Sequence, residues 1–298
     1  MDEIGVYQDF GDSLFAMTKP NGSAVVIFLF VLVAWPWAFP KKSHSLSEQS
    51  KEKLFLGFDR NEYPGDAALP VLRKSFSFSG YWITPPPNTP RNTWAGKRTA
   101  LRERGFGFLL LASARPASSI QSNADEMALA DAREVARSAT RDGFPAGAVI
   151  FLDVEEGGRH PAQFHAYLRS WVDELARHGF KPGVYCSGMP VNDGNGSKII
   201  TADDIRANMG QRKISYWVVN DACPPSHGCT LVGLVGPRKS GVEFASVWQF
   251  VRSPRSKETA SRCPGYAKDE NCYAVLDAAH HWHLDLDVAN SPDPSAAR

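Results

Sequence analysis

An imbalance of charge is what this sequence most clearly lacks. Its 33 lysines and arginines offset 32 aspartates and glutamates, leaving a formal net charge of +1. Such a chain has no strong field to gather a polyanion or an anionic membrane surface, so nucleic acid is not an expected partner. A glycine-rich phosphate cradle, a nucleic-acid motif and an internal repeat are missing as well, and no cofactor is expected. The bulk composition is ordinary for a folded protein: 298 residues, 43% hydrophobic and 22% charged, enough for one large domain or two modest ones.

Cysteine is scarce, at five residues, and informative by position. Cys223 and Cys229 bracket PPSHG, and Cys263 and Cys272 bracket a polar segment. Each pair is able to close a local disulfide in an oxidising compartment; in a reducing one all five stay thiols. Both gaps are wider than zinc-binding pairs favour, so no metal site is assigned. Cys186, in the strand-like GVYCSG, reads as a buried free thiol.

Long apolar runs are rare, with one exception. Ala24 to Phe39 forms an uninterrupted apolar run of about 16 residues, slightly short of the roughly 20 that a spanning helix needs. Trp35 and Trp37 near its end suit a membrane interface. A cleavable signal peptide is the rival, although Pro36 and its bulky neighbours leave no small-residue cleavage site. A buried core helix is the third reading. The favoured division is a polar tail (1–23), a membrane anchor or signal segment (24–40), a linker (41–53), a folded domain (54–290) and a disordered tail (291–298). With the cysteine pairs this points to export, with the domain outside the cytoplasm.

The folded part alternates strand-like and helical patterns. Strand-like runs are LFLGFDR, FSFSGYWI, FGFLLLASAR, AVIFLDVE, KPGVYCSG, ISYWVVND, EFASVWQF and HWHLDLDV. Between the middle runs lie helical stretches. In one, Ala128, Ala132, Val135, Ala136 and Ala139 share a face. In the clearest, Phe164, Tyr167, Leu168, Trp171, Val172, Leu175 and Ala176 form one apolar stripe that Gly179 ends. Thr201 is the expected N-cap of a further short helix. Eight runs alternating with helices predict an α/β fold with parallel strands, a (β/α)8 TIM-type barrel. The competitor, an open doubly wound sheet, would normally show a glycine-rich first turn that GFDRNEYPG does not supply.

Several runs end in polar groups: Asp59, Asp153 with Glu155, Asn220 with Asp221, and Gln249, while the last carries Asp285 and Asp287. In a barrel these ends converge on one mouth. On a strand, Asp153 and Glu155 would share one face, roughly 7 Å apart, with Glu156 turned away as surface charge. Burial and mutual repulsion would then raise at least one pKa and hold a proton near neutral pH. Such a pair is what glycosidic bond cleavage needs, one carboxylic acid for the leaving oxygen and one carboxylate for the developing positive charge or the water. The aromatic residues Tyr81, Trp82, Tyr185, Tyr216, Trp217 and Trp248 offer flat faces to sugar rings, or simply pack the core.

GFD, LDVE, GVYCS, SYWVV, VWQF and LDLDV, in that order, resemble the strands of family 25 glycoside hydrolases, the lysozyme-type muramidases. The stretch from DAREVARSATRDGFPAGAVIFLDVE through ARHGFKPGVYCSG is more similar still to the related glycoside-hydrolase-like domain of unknown function 1906. The resemblance spans roughly residues 54–290. It implies Glu155 as general acid, Asp153 as its base-like or charge-stabilising partner, and Asp59 and Asp285 as the rest of an acidic floor. Tyr81, Tyr185, Trp217, Asn220, Trp248, Gln249 and Asp287 are the candidate substrate-binding residues, and Asp287 stands where the muramidases more often carry asparagine. The proline-rich loop after the second strand and the cysteine-bracketed insertions depart from the family pattern.

Two functions follow as expectations. One is a bacterial cell-envelope glycosidase acting on a polysaccharide, the peptidoglycan glycan strand; the other is a non-catalytic wall-binding module on the same barrel. A metal hydrolase using His281 and His283, which share a strand face, is a third idea with no other paired-histidine motif behind it.

Overall fold

The computed structural model describes residues 52–120, 122–194, 196–221, 235–252 and 284–298. The apolar run 24–39, the four cysteines expected to pair (Cys223, Cys229, Cys263 and Cys272) and His281 and His283 lie outside the described residues. Among the described residues no helix is long and apolar enough to cross a membrane.

The eight strand-like runs become the eight strands of one closed barrel. They are β1 (Phe55–Asp59), β2 (Phe78–Trp82), β3 (Gly107–Ser113), β4 (Val149–Asp153), β5 (Lys181–Ser187), β8 (Ser215–Val219), β9 (Val247–Val251) and β10 (Asp285–Ala289). A two-stranded hairpin, β6 (Val191–Asn192) and β7 (Lys198–Ile199), stands apart from them. Around the barrel the order is β1-β10-β9-β8-β5-β4-β3-β2. Among the described residues the α-helices are α1 (Leu69–Ser75), α2 (Arg98–Glu103), α3 (Ala124–Arg141), α4 (Ala162–Arg177) and α5 (Thr201–Asn208).

The all-parallel expectation needs one correction. β10 runs antiparallel to both β1 and β9, while the other neighbouring pairs are parallel. Among the described residues no α-helix follows β8 or β9. The reversal decides which end of β10 reaches the mouth. In a parallel strand Asp285 would start at the bottom; here it pairs in register with Asp59, at the carboxyl end of β1.

The helices form where periodicity places them. α3 buries Ala128, Ala132, Val135, Ala136 and Ala139, and α4 buries Phe164, Tyr167, Leu168, Trp171, Val172 and Leu175. Each large apolar side chain so covered contributes about 1.5–3 kcal/mol. Ala176, expected on the α4 stripe, is exposed. Glu174 is buried instead, because Arg133 on α3 reaches it at 2.6 Å and Arg177 and His178 close on the same carboxylate. Thr201 does not cap α5: Ile200 holds the cap position, and the Thr201 hydroxyl goes elsewhere.

Residues 291–298 are not a disordered tail. The parallel strands leave backbone groups open at the barrel's lower end, and this segment takes them up. Asp293 and Ser295 side chains accept from the Phe108 and Leu110 amides at 2.8 and 2.9 Å. The Val149 amide donates to the Ser295 carbonyl at 2.8 Å. Ser295 and Ala297 are fully buried.

Candidate active site

At the upper end of the barrel the strands open into a cavity of about 350 Å³. Alternation along each strand selects its lining. β1 contributes Asp59, β2 Trp82, β3 Leu111, β4 Asp153, β5 Tyr185 and Ser187, β8 Trp217 and Val219, β9 Gln249, and β10 Asp285. Asn61, Val154, Glu155, Gly157, Met189 and Arg252 from the loops and Val191 of β6 add to the wall. The cavity therefore brings together Asp59, Asp153, Glu155 and Asp285. Glycine makes room for this: a Cβ on Gly80 would lie 2.5 Å from that of Asp59.

Part of the floor is a hydrogen-bonded chain. The Tyr185 hydroxyl donates to Gln249 Oε1 at 2.7 Å, and Gln249 Nε2 donates to Asp59 Oδ2 at 2.8 Å. Burial pushes Asp59 up to about 6, against the lowering pull of Gln249 and Asp287. Asp287, wholly enclosed below the cavity, is pushed well above the ordinary carboxylate range by burial and then by the charge of Asp59. Asp153 rises well above it too, first through burial and then through the charges of Glu155 and Asp59. Two carboxyls this close in a poorly solvated place do not both ionise. On the floor burial and like charge therefore favour the protonated forms of Asp153 and Asp287.

The rim is different. β4 ends at Asp153, so Glu155 is not the inward residue of a continuing strand; it stands exposed on the loop that follows. Val154 is buried between the two, its amide donating to the Tyr185 carbonyl at 2.9 Å. Behind Glu155 opens a second cavity of about 320 Å³, lined by Pro87, Asn88, Ala114, Arg115, Pro116, Glu156 and Phe164. Asp153, Val154 and Glu155 belong to the walls of both cavities, so Glu155 lies on the ridge between them. Glu156 turns away from the first cavity and accepts from the Ala117 amide at 3.1 Å.

Of the expected substrate-binding residues, Tyr185, Trp217 and Gln249 line the first cavity. Tyr81 does not. It lies on the outer face of β2, packed edge-on against Phe108 and Phe144, with its hydroxyl donating to Asp142 at 2.6 Å. Its neighbour Trp82 takes the inward place. Trp248 likewise shares the face of Phe250 and donates from Nε1 to the Asn220 carbonyl at 2.9 Å, while Asn220 Nδ2 donates to the Ser240 carbonyl at 2.6 Å. Asp287 is beneath the cavity rather than in its wall.

Sequence reasoning missed Asn61 and Arg252. Asn61 is placed by two indoles, since Trp82 Nε1 donates to the Arg60 carbonyl at 3.2 Å and Trp94 Nε1 to the Asn61 carbonyl at 3.0 Å. Arg252 makes a paired contact with Asp221, both bonds at 3.0 Å, and is the cation in the lining of the first cavity. Its position directly after VWQFV was the available signal. Among the described residues no cluster of His, Cys, Asp and Glu is arranged to hold a metal ion.

The class is set by the fold: a closed eight-stranded α/β barrel whose mouth gathers the carboxylates Asp59, Asp153, Glu155 and Asp285. More particularly, residues 91–229 match the family described as the Rv2525c-like, glycoside hydrolase-like domain, a stretch that includes Asp153 and Glu155. The chain superposes on an uncharacterised protein of B. stearothermophilus with a TM-score of 0.52 at 17% identity, covering 79% of this chain and 95% of that one. That likeness shows the fold. Two further similar structures are the Tat-secreted protein Rv2525c of Mycobacterium tuberculosis (TM-score 0.47, 14% identity, 82% of this chain and 98% of that one) and the spore cortex lytic enzyme SleM of Clostridium perfringens (TM-score 0.49, 16% identity, 80% and 68%). No curated protein sequence matches the chain.

Proposed function

We propose that the chain is a cell-envelope glycoside hydrolase that cleaves glycosidic bonds of peptidoglycan or a related wall polysaccharide by carboxylate acid/base catalysis. One observation carries this reading: a buried Asp153 lies beside an exposed Glu155 on the ridge between two cavities, with Asp59 and Asp285 in the wall of the first. A glycan laid across the ridge puts sugar on both sides of Glu155 and a glycosidic oxygen above it. The aromatic faces of Trp82 and Trp217 in the first cavity suit a sugar ring.

Asp153 and Glu155 act as one pair, in which burial and the charge of Glu155 favour the protonated form of Asp153. Covering Glu155 with sugar removes its water, so a proton on Asp153 can be passed upward to the glycosidic oxygen. As the bond to the leaving oxygen breaks, positive charge grows on the sugar carbon, and Asp59 and Asp285 face it. Water then attacks that carbon and loses its proton to a carboxylate of the same wall. Export is supported by the apolar run 24–39 and the two cysteine pairs. Membrane anchoring through that run stays part of the proposal.

The test compares the full chain with Glu155→Gln on purified peptidoglycan, scoring new reducing ends. Loss of a positioned general acid lowers hydrolysis by about 10²–10⁴-fold, with folding unchanged because Glu155 is exposed. Equal and negligible release by both proteins, with glycan binding retained, would replace the hydrolase with a wall-binding module.

A further inference from the structure

Beyond Asp153 the chain leaves the sheet, yet it must present Glu155 at one place without a strand's ladder to hold it. The segment is instead tied to the first turn of α5. The Gly158 amide, at a backbone φ of +96° that glycine adopts freely, donates to Thr201 Oγ1 at 2.8 Å. The His160 amide donates to Asp204 Oδ2 at 3.0 Å. His165 at the start of α4 meets that oxygen through Nε2 at 3.1 Å, as the neutral imidazole that burial favours. Arg159 adds an outer contact, bonded to Asp193 Oδ2 at 2.6 Å and 3.5 Å from Asp204 Oδ1.

These contacts are more than a surface tether. Thr201 is fully buried and the Asp204 side chain is 1% exposed, so each amide they satisfy has little water to fall back on. A buried carboxylate is costly unless it is hydrogen-bonded, and Asp204 is, through the His160 amide of the β4–α4 connection and the His165 imidazole in the first turn of α4. The far end of the loop is fixed at Val154 by β5, so clamping Gly158 and His160 leaves only Glu155 to Gly157 between two fixed points.

We propose that Thr201 and Asp204 are positioning residues: the first turn of α5 clamps the loop after β4 and thereby sets the place of Glu155 on the ridge between the two cavities. The inference rests on Glu155 being the working carboxylate, and it adds residues that touch no substrate.

The test uses the full chain carrying Thr201→Val, which keeps the branched shape and removes the hydroxyl, with Thr201→Ser as the conservative rescue. Deuterium exchange at the Gly158 amide should quicken by about tenfold or more in Thr201→Val and return to the wild-type rate in Thr201→Ser. A merely structural contact would produce the same change, so a second readout decides. Glu155 helps to hold the proton on Asp153. If Glu155 loses its place, the Asp153 titration midpoint, followed by carboxyl NMR, falls in Thr201→Val as it does in Glu155→Gln. Asp204→Asn should move both readouts in the same direction. Faster exchange at Gly158 with Asp153 titrating as in wild type would overturn the proposal, and so would unchanged exchange. Hydrolysis adds a third readout, with kcat lowered about tenfold and KM within about twofold, as expected for a misplaced acid. Should wild type cleave no glycan, the hydrolase reading fails, while exchange and titration still decide the clamp.

Discussion

On the floor of the mouth Asp59, Asp153 and Asp287 are 6%, 4% and 0% exposed, whereas Glu155 and Glu156 stand exposed on the rim just past Asp153. The residue chemistry is nearly the same in both regions; the solvent is not. Burial and mutual repulsion raise the pKa values of the floor carboxyls, and a tyrosine and a glutamine organise it. On the rim a carboxylate keeps its water until substrate removes it. A site for acid/base chemistry needs both conditions within reach of one bond, and the end of β4 supplies the step between them.

The comparison breaks most visibly at Asp153. Asp153→Asn keeps the shape and removes the titratable proton, so hydrolysis should fall by about 10²–10⁴-fold. Thermal melting should hold or rise, because an amide replaces a carboxyl whose ionisation burial opposes. Lower stability with full activity would mean that the floor is structural.

Next in size is Gln249→Leu. It leaves the Tyr185 hydroxyl without its acceptor and Asp59 without its donor, and each unsatisfied buried group costs about 1–3 kcal/mol. Chemical denaturation measures that loss. Because the Gln249 bond lowers the Asp59 pKa, the midpoint should climb above about 6 in the variant.

A smaller effect of opposite sign belongs to Asp287→Asn. The ordinary value for this carboxyl is 3.8, and in the folded chain it lies well above that. Between those values the unfolded chain releases a proton that the folded one keeps, so wild-type stability falls as pH rises through the window. Asparagine has no proton to lose. The variant should match wild type at strongly acid pH and exceed it at pH 7, read from denaturant midpoints across pH. A variant less stable than wild type at pH 7 would show that Asp287 is ionised and paired.

Much of this was legible in the sequence because strand ends and apolar stripes are local patterns. The eight strands, the α3 and α4 faces and the meeting of Asp59 and Asp153 at one mouth follow from spacing and order. The phase of strands buried on both faces was not legible. FSGYW is buried at every position, so nothing local says that Trp82 faces the cavity and Tyr81 the helices. The reversal of β10 was hidden as well, since a strand's direction depends on its neighbours; Asp285 reached the mouth because of that reversal. The order of residues 291–298 was invisible for a related reason: polar residues that read as a tail satisfy backbone groups distant in sequence.

Arg252 carries the smallest effect, and it separates rim from floor most cleanly. Its pair with Asp221 is partly exposed, and such pairs contribute about 0–1 kcal/mol, so Arg252→Gln should melt close to wild type. Its charge nonetheless reaches inward, opposing the rise that burial and Asp153 impose on the Tyr185 hydroxyl. Tyr185 is the first donor of the floor chain, but its proton leaves only far above neutral pH, so this influence changes no protonation state near pH 7. The Asp59 midpoint should therefore stay near about 6 in the variant. Loss of the cation should appear instead as weaker binding of glycans bearing carboxylate groups, within about tenfold, because a solvated rim charge contributes modestly. A clear shift of the Asp59 midpoint would mean that rim and floor titrate as one unit, and the division between them would fail.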